Sequence, residues 1–130
     1  MPDTALIKQL GADEYGMKHY ALVFLKPGQT QQTDPHQAAE IQKQHLKYLK
    51  NLMNEGTMLI LGPVMEEAGI SGICIYNCDA TEATKLAEAD PGVKFSELII
   101  EVHPWYSSAA IMKVPEIHKT IETKSFADML

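Results

Sequence analysis

The order of apolar segments predicts an α+β domain of the ferredoxin-like βαββαβ kind, a four-stranded antiparallel sheet with two helices on one face. Three observations carry that expectation. Apolar runs compatible with strands recur at 18–26, 57–65, 69–77 and 95–105. Two helical patterns, over 35–54 and 80–90, separate the first run from the second and the third from the fourth. The middle two runs are joined only by the short turn EEAG, which makes them a hairpin.

The helix between the first two strands is the clearest element. Asp34 suits the N-cap, Pro35 the first helical position, and Gly56 the left-handed turn that closes the far end. Stepping ~100° per residue places Ala38, Ile41, Tyr48, Leu49, Leu52 and Met53 on one arc, opposite Glu40, Lys43, Lys47, Lys50 and Asn54. His45 falls in the middle of the apolar arc, so a titratable ring faces inward. Two roles are open for it. It is either a core histidine whose nitrogens are satisfied by neighbours, or a general base, since imidazole ionises near neutrality and burial tunes it.

The remaining elements follow in order. Residues 1–16 form an N-terminal extension, with two helical turns from Thr4 to a Gly11 cap, that the fold does not need. In the first strand His19, Ala21, Val23 and Leu25 share one face and Tyr20, Leu22 and Phe24 the other. The polar connection KPGQTQQTD leads to the central helix. The second strand carries Gly62-Pro63, which suits a bulge or a strand end and predicts a bend there. Asp79 and Glu82 have capping-box spacing for the second helix, which Pro91 is expected to end. The fourth strand is expected from Phe95 to Trp105, leaving 106–130 as a C-terminal tail. Three of the strands are apolar on both faces, which an antiparallel sheet with one solvated face would not be. A second copy of the sheet is the simplest cover, so a homodimer or higher even oligomer is expected.

Composition excludes several classes. The 130 residues suit a single domain, the formal net charge is −6, and no basic stripe appears, so nucleic acid is not an expected partner. No stretch reaches the ~18 apolar residues of a membrane span, which predicts a cytoplasmic protein without a membrane partner. Cys74 and Cys78 lie too far apart along one strand to bridge, so both are expected as free thiols. The five histidines show no zinc spacing, no serine sits in a nucleophile motif, and no glycine cluster cradles phosphate. Neither a metal nor an organic cofactor is expected.

Several segments together, MKHYALVFLKPG, HLKYLKNLMNEG, the GP of the second strand, ADP and EVHPW, resemble the YciI-like, or YCII-related, family over about residues 17–105. The resemblance implies a dimeric α+β barrel, two ferredoxin-like sheets closed face to face. It also implies an active site made by a conserved histidine and aspartate, which correspond here to His45 and Asp90. Position alone makes Asp90 a mildly unfavourable carboxylate at a helix C-terminus, or simply the polar residue before Pro91. Further pocket-lining candidates are Tyr48, one turn from His45, Ser71 and Gly72 in a glycine-bearing strand, and Trp105. Glu101 and His103 share a strand face and are weighed as a solvated pair or as pocket lining. The expected function is a small cofactor-independent enzyme that uses His45 and Asp90 for acid/base isomerisation or elimination on a small cyclic metabolite. The alternative is a non-catalytic module that binds a small-molecule ligand in the same pocket.

Overall fold

The computed structural model describes residues 1–30, 33–66 and 69–128. Parts of two expected connections, 31–32 and 67–68, lie outside the described residues, as do 129–130. The element order is α1 (Thr4–Leu10), β1 (Met17–Pro27), α2 (Pro35–Asn54), β2 (Met58–Pro63), β3 (Gly72–Tyr76), α3 (Ala80–Glu88), α4 (Pro91–Lys94), β4 (Leu98–Ser108) and α5 (Val114–Ile121). Two short 3-10 segments, Ala109–Lys113 and Phe126–Asp128, flank α5.

The four strands form one antiparallel sheet in the order β2-β3-β1-β4, with β1 central and paired along its length to β4. This is the ferredoxin-like arrangement that the segment order predicts. Register is fixed by burial. Ala21, Val23, Leu25, Cys74, Tyr76 and Met58 point to one face and pack with Leu49 and Leu52 of α2 and Ala83 and Ala87 of α3. A one-residue slip would turn this whole set to the opposite face. The small alanines let α3 approach the sheet closely.

The central helix has the expected ends. Asp34 accepts from the His36 amide at 2.9 Å, Pro35 stands in the first turn, and Gly56 takes φ +79°. The Thr57 and Gly56 amides donate to the Leu52 and Met53 carbonyls, closing a Schellman turn. Asp79 caps α3 through the Glu82 amide at 2.8 Å.

Three expectations need correction. The second helix does not run to Asp90: α3 stops at Glu88, and Pro91 opens the separate short helix α4 instead of ending the first. The fourth strand begins at Leu98 rather than Phe95, because the chain turns back through Ser96 at φ +59° and the Glu97 amide bonds the Gly92 carbonyl. That strand also runs on to Ser108, and Pro104 is accommodated inside it because β4 is an edge of the sheet. Of the two alternatives at Gly62-Pro63 the strand end holds, since Pro63 is the last residue of β2, the other edge strand, and the irregularity of β2 lies between Met58 and Ile60.

The second face of the sheet is partly covered by the chain itself. Ile111 and Met112, in the 3-10 turn after β4, pack with Trp105 against the cluster of Tyr20, Leu59 and Ile75. Farther along that face Ile73 and Ile99 remain 36% and 48% exposed. The N-terminal helix α1 buries no residue. No helix among the described residues is long and apolar enough to cross a membrane.

Cys74 and Cys78 are both free. Burial, with a smaller contribution from the Asp90 charge, pushes the Cys74 thiol up to about 12, and burial raises Cys78 as well. Because the folded value of Cys74 is raised, its contribution to stability is complete below the ordinary thiol value near ~8.5 and is lost as pH rises towards about 12. Urea melts should therefore show stability falling between those limits, with Tyr76, also raised by burial, adding to the fall. A disulfide reagent at pH 8 should modify the half-buried Cys78 first and reach Cys74 only on unfolding; equal rates for the two in the native protein would contradict this.

Candidate functional site

His45 enters the site from the middle of α2 and Asp90 from the corner between α3 and α4. Ile41 and Leu49, one turn to either side of His45, anchor that face of α2 and hold the ring inward; His45 is 8% exposed. Asp90 is 2% exposed. Its backbone is extended, as expected before proline, and this turns the carboxylate back over the start of α4. There Oδ1 accepts from the Gly92 amide at 2.9 Å. The carboxylate thus caps a helix N-terminus, a favourable place for negative charge, and not the C-terminus expected from position alone.

The two side chains meet. His45 Nδ1 lies 2.6 Å from Asp90 Oδ2 and 2.9 Å from Oδ1. A carboxylate that already accepts an amide proton acts as the acceptor here, so Nδ1 carries the hydrogen and the lone pair of the neutral ring lies on Nε2. Among the described residues Nε2 has no protein hydrogen bond, and His45 forms part of the wall of a cavity of about 680 Å³. The size suits a small organic ligand. Gly92 makes the close approach possible: a Cβ there would stand 2.8 Å from Leu98 Cδ1 and 3.5 Å from both His45 Nδ1 and Asp90 Oδ1.

The cavity runs from α2 to the paired ends of β2 and β3. Leu25, Leu49, Met53, Leu61 and Ile73 supply much of its apolar lining. Ser71 and Gly72 line it, as expected from sequence. Gly72 also meets a packing demand, because a Cβ there would lie 3.2 Å from the Gly62 carbonyl oxygen of the neighbouring strand. Tyr48 and Trp105 do not line it. Tyr48 lies on the α3 side of α2, where its hydroxyl donates to the Leu86 carbonyl at 2.7 Å. Trp105 packs against Tyr20 on the opposite face of the sheet, the rings tilted by 47° with centroids 6.4 Å apart. Glu101 and His103 form an exposed pair at 2.7 Å, with Lys26 beside the carboxylate, away from the cavity. Lys26 first, then His103, hold the Glu101 carboxyl below its ordinary value.

Sequence reasoning missed Gln42, Glu97, Val114, His118 and Phe126, which also line the cavity. Gln42 is three residues before His45, and helical spacing was enough to find it. The others arrive through tertiary folding from the turn before β4 and from the C-terminal segment. No group of three or more metal-ligating side chains occurs among the described residues.

The model of the YCII-related domain matches residues 17–106, about two thirds of the chain. The chain belongs to the YCII-related family. No curated protein matches it. The YCII-related match ends within β4, so α5 and both 3-10 segments lie beyond it.

Removing the Asp90 carboxylate would leave the buried Nδ1–H and the Gly92 amide without an acceptor. Asp90→Ala should therefore cost about 2–4 kcal/mol of unfolding free energy, the scale for breaking a buried charged hydrogen-bond pair. Denaturant melts measure it; a loss under about 0.5 kcal/mol, the range of an ordinary surface substitution, would show that the bond contributes little.

Proposed function

We propose that this protein is a small acid/base enzyme that moves a proton on a small cyclic metabolite, in an isomerisation or an elimination. The observation that supports it is the arrangement of His45: Nδ1 is tied to a buried carboxylate while Nε2 is left to a ligand-sized cavity. In this reading the neutral ring takes a proton from the substrate through Nε2. The Asp90 charge stabilises the imidazolium so formed and keeps the ring in the productive tautomer. Returning the proton to a different atom completes an isomerisation; loss of a leaving group completes an elimination. Neither needs a cofactor. The same cavity would serve a binding module without turnover, and steady-state assay of a ligand found by thermal-shift screening separates the two. With two free thiols, we place the protein in a reducing cytoplasm.

His45→Gln keeps the volume and a hydrogen bond but has no basicity. It should leave the fold intact and lower turnover by ~10²-fold or more. Asp90→Asn should lower kcat more than it raises KM, since it removes the charge that supports the protonated ring. Full turnover in both variants would assign the pair a purely structural role.

We also propose a homodimer or higher even oligomer formed through the second sheet face, where Ile73 and Ile99 stay exposed. Sedimentation at micromolar concentration should give at least twice the chain mass of 14.4 kDa, whereas a stable monomer would rule this out.

A further inference from the structure

The cavity has a wall that the family domain does not supply. Val114 and His118 of α5, together with Phe126, line it, although all three lie beyond residue 106. The C-terminal segment reaches this place by packing Ile111 and Met112 on the second sheet face and Phe126 on the main core, where Lys50 lies 5.6 Å from the Phe126 ring centroid.

His118 is also backed by a carboxylate. Its Nε2 lies 3.2 Å from Glu122 Oε2 one turn later, and Lys50 Nζ lies 3.9 Å from Glu122 Oε1. The contact is looser than that of His45. Glu122 Oε2 is buried yet has no properly directed hydrogen bond, and the His118 side chain is 46% exposed against 10% for His45. Because that contact is not a directed hydrogen bond, the Nε2–H of His118 is not committed to Glu122, and the exposed imidazole has room to turn it towards a ligand.

The lining also restricts the ligand. All eleven basic residues of the chain are lysines, and among the described residues none lines the cavity. The charged lining residue is Glu97, and the nearby Lys50 is engaged with Glu122 and the Phe126 ring. Such a wall repels anions and offers no bidentate clamp for carboxylate or phosphate. It suits an uncharged, largely apolar molecule with one hydrogen-bond acceptor.

From the shared cavity and the loose His118–Glu122 contact, we propose that His118 positions the substrate by turning its Nε2–H to the carbonyl oxygen of a small neutral carbonyl compound, such as a cyclic ketone or lactone. This rests on the acid/base reading of His45. Nε2 of His45 takes the proton from the carbon next to the carbonyl, the C–H electron pair becomes the new C=C bond, and the carbonyl π pair moves onto oxygen. His118 meets that developing negative charge, which otherwise raises the barrier. Return of the same proton to another carbon of the enolate restores the neutral ring, so no further reactant is consumed. Gln42 and Ser71 also line the cavity, and His118 differs from them in standing on the wall that the C-terminal segment adds.

The test uses the full chain labelled with ¹⁵N, imidazole correlation spectra, and two matched probes, cyclohexanone and cyclohexanecarboxylate. Millimolar cyclohexanone should move the signals of both His45 and His118, and the carboxylate should bind more weakly. His118→Leu should weaken ketone binding about fivefold, the scale of one hydrogen bond, and His118→Gln, which keeps a donor, should restore most of it. If the ketone moves the His45 signals and leaves those of His118 unchanged, His118 has no such role and the reading of His45 stands. Tighter binding of the carboxylate would overturn the ligand class. Silence of both rings towards the ketone would overturn this inference and the ligand cavity together.

Discussion

The hydrogen bond between His45 Nδ1 and the Asp90 carboxylate is the constraint around which the site is built. A carboxyl group this deeply buried is tolerated only when its oxygens are matched by partners. Asp90 finds them on two separate elements, the imidazole of α2 and the Gly92 amide of α4. One side chain thus caps a four-residue helix, ties the α3–α4 corner to the central helix, and decides which nitrogen of His45 bears the hydrogen. The extended backbone before Pro91 and the missing side chain at Gly92 are what allow it to do all three.

The position of the cavity follows from strand order. In a β2-β3-β1-β4 sheet, β2 is an edge, and its end at Pro63 leaves α2 overhanging strand ends instead of a continuous surface. The C-terminal segment then turns a groove into a cavity, since it leaves β4 at the opposite edge and brings α5 and Phe126 to the side where α2 and β2 lie. A chain ending with the family domain would keep the His45–Asp90 pair and lose that wall.

The fold was largely legible because its signals are local. Asp34-Pro35 and Gly56 mark α2, Asp79 marks α3, and the alternation of Tyr20, Leu22 and Phe24 with Ala21, Val23 and Leu25 gives the two faces of β1. His45 was legible for the same reason, as one position in a helical period. Asp90 was harder. An Asp-Pro step reads equally well as the end of one helix or the start of the next, and the resemblance to a family, more than periodicity, drew attention to it. Tyr48 was misplaced because a neighbour one turn away on a helix is turned far enough round the axis to face α3. His118 and Phe126 carried no local signal, since their place in the cavity depends on the path of the whole C-terminal segment.

The charge on Asp90 also acts beyond its hydrogen bonds. Burial is the main cause that raises Tyr48, Cys74 and Tyr76, and in each case the Asp90 carboxylate adds to the rise. These three groups are therefore held more firmly in their neutral forms and take no part in proton exchange near neutrality. Around the carboxylate this leaves hydroxyls and a thiol kept neutral, and one imidazole bonded to it through Nδ1. The same low-polarity surroundings strengthen the hydrogen bond between the carboxylate and the ring, because less water screens it. The neutral hydroxyls and thiol of the core and the fixed orientation of the His45 ring are thus two consequences of burying one carboxylate beside one imidazole.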